Sequence, residues 1–181
     1  IVAQALSSEK VSKEKHDIIR SWSHEFAHTW FNKADIATYD NWIDEALAEL
    51  TSLLVCKEKY GKRSFFQYLK SFESQIRHQL ENLPAIKTIT RAHSQASLVY
   101  YKWGTLILNH VYQTIGHKKI LMVLRLYARK SFEKHSNQTN LFIKLLNQQS
   151  DIDWNPFFNQ FLHLTPKEGI DQLIIDPRKQ V

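Results

Sequence analysis

The sequence predicts a mainly α fold in a single domain covering residues 1–181, and three observations carry that expectation. Glycine is scarce, with 4 among 181 residues, where about 7% would be usual, so tight turns are few. Long stretches lack both glycine and proline and bear apolar residues at helical spacing. No convincing pair of strands is visible. A chain of this length can bury a good core.

The first helix is expected over residues 10–31, where Ile18, Ile19, Trp22, Phe26, Trp30 and Phe31 form an apolar side that marks it as largely buried. A second covers 42–59, with Asp40 or Asn41 as its cap and Gly61 just beyond its end. Asp44 and Glu45 stand in its first turns, where the positive end of the helix dipole favours acids. Further helices are expected at 64–81, 96–115, 118–134, 141–149 and 156–162, while 84–93 reads as extended or irregular.

Within the first helix, His24-Glu25-Phe26-Ala27-His28 places two imidazoles four residues apart with a carboxylate beside the first. Residues four apart share one helix face, so both rings can address one metal ion. Glu25, rotated by about 100°, misses the ion but can reach a water next to it. Two histidines and a glutamate so arranged form the core of a hydrolytic zinc site. The competing reading is a pair of structural histidines bonded to a carbonyl or hydroxyl.

A catalytic zinc takes three protein ligands and keeps one position for water. A nearby third histidine would need glycine at position 31 and histidine at 34, but Phe31 and Ala34 stand there, which excludes the metzincin pattern. The second helix supplies the alternative in Trp42-Ile43-Asp44-Glu45-Ala46-Leu47-Ala48-Glu49. Glu45 is the expected ligand and Asp44 its rival. Glu49, one turn on, shares the Glu45 face and could accept the other ring N–H of a ligating histidine; otherwise it is a solvated surface acid.

These segments resemble the aminopeptidase N family of zinc metallopeptidases, which are gluzincins. The resemblance rests on His24 to Asn32 and on Trp42-Ile43-Asp44-Glu45-Ala46. Sixteen residues separate His28 from Glu45, two fewer than is usual there, and the shortening falls in the loop 33–41. The resemblance implies the helical half of a thermolysin-like catalytic domain, one zinc per chain held by His24, His28 and Glu45, and Glu25 as general base. The family also has an oxyanion-binding tyrosine in a Tyr-x-Lys-Gly context. Here the chain reads Val99-Tyr100-Tyr101-Lys102-Trp103-Gly104. Tyr101 corresponds if Gly104 sets the register, and Tyr100 if Lys102 does; a small residue that lets the helix pack closely favours Tyr101. Residues 112–134 and 141–161, with Asp153-Trp154, resemble the family's closing helical hairpins. The family's preceding β-rich part and its Gly-x-Met-Glu-Asn segment have no counterpart in the chain. The expected partners are therefore a peptide or protein substrate and an upstream part of the same polypeptide. The alternative is a peptidase-like domain that binds zinc or peptides without turnover.

No apolar run approaches the roughly 20 residues that span a bilayer, so no membrane span is expected. The single cysteine, Cys56, reads as core and fits a reducing, cytoplasmic setting. The formal charge of +6 invites nucleic acid, but the basic residues are scattered. Lys57, Lys59, Lys62 and Arg63 form the densest patch, and no nucleic-acid motif accompanies them. A solvated basic surface is the expectation.

Overall fold

The structure, a computed structural model, describes residues 2–132 and 137–176, with side chains from residue 14 onward. The end of the helix expected at 118–134 and the basic tail Arg178-Lys179 lie outside the described residues. Among the described residues the chain is mainly helical and forms no strand. The helices are α1 (Val2–Ala27), α2 (Trp42–Tyr60), α3 (Lys62–His78), α4 (Gly104–Lys130), α5 (Gln138–Ser150), α6 (Asn155–Phe161) and α7 (Pro166–Gly169). Residues 84–93 are irregular apart from one 3-10 turn, Ile86–Thr88, as expected.

The helix breaks fall where glycine permits them. Gly61, at φ 85° and ψ 170°, ends α2 and turns the chain onto α3. Gly116, at φ 81° and ψ 168°, interrupts α4 between the two stretches read separately from the sequence. L-residues with a side chain pay a steric cost at such angles.

The middle of the molecule is α2, which packs against α1, α3, α4 and the turn leading into α4. Every residue from 42 to 50 is buried, including Asp44, Glu45 and Glu49. Trp42, Trp103, Tyr100, Tyr127, Phe65, Phe142 and Phe158 supply the bulk of the core. Cys56 is part of that interior, and burial raises its thiol pKa to about 11.

Four expectations are corrected. First, α1 begins earlier than residue 10 and ends at Ala27 rather than Phe31. His28 stands in a closing turn, its N–H bonded to the Glu25 carbonyl at 3.2 Å in the tighter i to i−3 pattern. Second, the apolar side of α1 is buried only at Phe31 and half-buried at Ile19, while Ile18, Trp22, Phe26 and Trp30 are 56%, 65%, 61% and 49% exposed. The face turned inward is the opposite one, with His24 and Ala27, because it meets the buried acids of α2. Third, residues Ser97–Trp103 form a π-helical turn ahead of α4 instead of its first α turns. Fourth, neither Asp40 nor Asn41 caps α2 through its side chain. Asp40 accepts hydrogen bonds from the Gln138 and Thr139 N–H groups, at 2.6 and 2.9 Å, and so caps the start of α5. Trp42 Nε1–H donates to Thr139 Oγ1 at 2.9 Å, adding to that clamp.

Candidate metal centre

α1 and α2 meet at His24, His28 and Glu45, whose ligand-type atoms all lie within 4.8 Å of one another. The two Nε2 atoms stand 3.2 Å apart, and Glu45 Oε2 lies 3.6 Å from His24 Nε2 and 3.4 Å from His28 Nε2. Donors bound tetrahedrally to zinc at about 2.0–2.2 Å stand roughly 3.4 Å from each other. The triangle therefore has the size zinc requires.

The other nitrogens explain why Nε2 points inward on both rings. His24 Nδ1 is 2.8 Å from Glu49 Oε2, and His28 Nδ1 is 2.9 Å from the Phe31 carbonyl. Both partners accept only, so each Nδ1 carries the proton and each Nε2 of a neutral ring presents a lone pair. Two lone pairs facing each other at this distance repel unless a proton or cation lies between them. Glu45 Oε2 adds a third, since it is buried with no hydrogen-bond partner. A buried acceptor in that condition costs about 1–3 kcal/mol. A divalent cation would satisfy all three atoms, so the donor set fits zinc.

The acids around this point are balanced by two arginines the sequence reading missed. Arg20 pairs with Glu49, which is 2% exposed. Arg91 pairs with the Oε1 of Glu45, donates to Asn41 Oδ1 at 3.2 Å, and donates to the Tyr101 hydroxyl at 3.0 Å. Arg20 stands one turn ahead of His24, so helical spacing could have found it. Arg91 comes from the irregular stretch before α4, where no spacing rule applies.

Glu45 and not Asp44 shares the histidine site. Asp44 Oδ2 accepts the Ala34 N–H at 2.9 Å and holds down the loop after α1, and burial raises its pKa to about 6. Glu25 is exposed beside His24, on the margin between the inward face and the apolar outer face of α1.

The tyrosine pair divides cleanly. Tyr100 is fully buried and donates to the Ile89 carbonyl at 2.7 Å, and burial raises its pKa to about 12. Tyr101 stacks on His24, with ring centroids 5.3 Å apart and planes 12° from parallel. Gly104 sets this approach: a Cβ there would lie 3.0 Å from both Ala46 Cβ and Trp42 Cε3. The start of α4 thus rests directly on α2 one residue from Glu45. Lys102 is partly buried.

Among the described residues no helix is long and apolar enough to cross a membrane. No known family, curated protein or solved structure matches this chain.

Proposed function

We propose that this chain is the metal-binding part of a zinc-dependent peptidase, with His24, His28 and Glu45 as the ligands. The observation that carries the reading is the convergence of two imidazole lone pairs and one unpartnered carboxylate oxygen, at 3.2 to 3.6 Å, on a single point. When bound, zinc would polarise the scissile carbonyl and make an adjacent water more acidic.

The chain's own residues supply the rest. Glu49 and the Phe31 carbonyl keep the Nδ1 protons of His24 and His28 outward, so that both rings ligate as neutral imidazoles. The exposed Glu25 carboxylate takes a proton from the attacking water and returns it to the leaving nitrogen. Tyr101 accepts from Arg91 through its oxygen, which leaves its own O–H proton to donate to the developing oxyanion. The substrate is a peptide or protein, and an upstream part of the same polypeptide would supply contacts to its amino end.

A second reading, zinc or peptide binding without turnover, draws on Arg91, whose guanidinium engages both Glu45 and the Tyr101 hydroxyl. Elemental analysis combined with peptide cleavage separates the two. Glu45→Ala should lose zinc, and Glu25→Ala should keep about one zinc per chain while losing roughly 10²- to 10⁴-fold in rate. Cleavage by Glu25→Ala at the parental rate would sink the mechanism. A parent that holds zinc but never cleaves, with the upstream part restored, would establish the second reading.

A further inference from the structure

A cleft of about 900 Å³ opens between α1, α3 and the π-helical turn, on the Arg20 side of the metal centre. That volume suits a small ligand or a few residues of a peptide. Its walls carry Arg20, Arg63 and Lys102 against one acid, Asp17. Two of these charges are already committed. Arg20 holds Glu49, and Asp17 accepts from the Tyr68 hydroxyl at 2.9 Å. Arg63 and Lys102 form no ion pair with any described residue. Lys102 is nevertheless partly withdrawn from water, and that burial lowers its pKa. An ammonium group in this state gains from any anion that reaches it.

Position ties the cleft to the proposed chemistry. Lys102 directly follows Tyr101, whose ring stacks on His24, and Arg20 precedes His24 by one turn on the same face of α1. The densest basic patch of the sequence, which includes Arg63, thereby acquires a use beyond solvation.

We propose that the cleft is a carboxylate-binding subsite, in which Arg63 and Lys102 hold an acidic side chain or the terminal carboxylate of a peptide bound across the metal centre. The placement across the centre rests on the hydrolytic reading; the anion recognition does not.

The test is equilibrium binding to the full chain, metal-free and zinc-loaded, by calorimetry. One pair of probes is acetyl-Ala-Ala-Glu-Ala-Ala-amide and its Gln counterpart. The other is acetyl-pentaalanine with a free or an amidated end. At least one carboxylate-bearing member should bind about tenfold or more tighter than its neutral partner, and which one does so identifies the source of the carboxylate. Lys102→Met combined with Arg63→Gln should erase the difference while zinc content and helical circular dichroism stay parental. Equal binding within both pairs, no binding by any probe, or a preference that survives the double substitution would overturn the subsite. The hydrolytic reading fails on other measurements, zinc content and cleavage, so the two can fail separately.

Discussion

Glu49 decides which nitrogen His24 can offer to a metal. Its carboxylate accepts the Nδ1 proton at 2.8 Å and is itself held by Arg20, so ring and acid are locked together in the interior. Glu49→Gln keeps an acceptor but removes the charge that steadies the ring and leaves Arg20 without its counter-ion. Zinc affinity should fall about 10- to 100-fold, as read by competition with a chromogenic chelator; parental affinity would remove Glu49 from this role. This much of the site was legible because His24, His28, Glu45 and Glu49 obey four-residue spacing on two adjacent helices. Tyr101 was singled out only by the resemblance of the stretch around it, with Gly104 choosing it over Tyr100. Arg91 was not, since a long side chain reaching in from an irregular segment leaves no periodic trace.

At the scale of the element, the start of α4 is fixed by close packing. Gly104 lies so near Ala46 and Trp42 that even one added methyl group must displace something. Gly104→Ala should cost about 1–3 kcal/mol of stability, measured by urea unfolding. It should also shift Tyr101 off His24, which nuclear magnetic resonance of the ring protons would report. Unchanged stability would show that the contact is looser than 3.0 Å suggests. The glycine breaks at 61 and 116 were readable from sequence, because that residue alone takes those angles cheaply. The π-helical turn was not, because a shift from i−4 to i−5 bonding depends on how the turn is packed. The burial of α1 was misread for a related reason. Periodicity showed that it has an apolar side and a polar side, but the three buried acids of α2 decide that the histidine side faces in.

Across the whole molecule, that reversal leaves a continuous apolar stripe in water. Ile18, Trp22, Phe26 and Trp30 follow one another at four-residue intervals, and Ile36, in the loop after α1, is a further apolar residue at 67% exposure. Large apolar patches of this kind favour association. The chain should therefore self-associate with rising concentration in analytical ultracentrifugation. Trp22→Glu with Phe26→Glu should suppress this while changing stability by no more than about 0.5 kcal/mol per site. A large loss of stability would mean that the stripe packs against the fold after all.

The Asp40 clamp also sets an order of events during synthesis. Asp40 lies five residues before Glu45, yet its partners Gln138 and Thr139 are 98 and 99 residues further along the chain. A ribosome that has released both histidines and Glu45 has still not delivered the groups that hold the beginning of α2. The candidate ligands are close neighbours in sequence, but the anchor of their scaffold emerges late. The nascent chain must therefore carry an incompletely braced candidate metal site until Gln138 and Thr139 emerge.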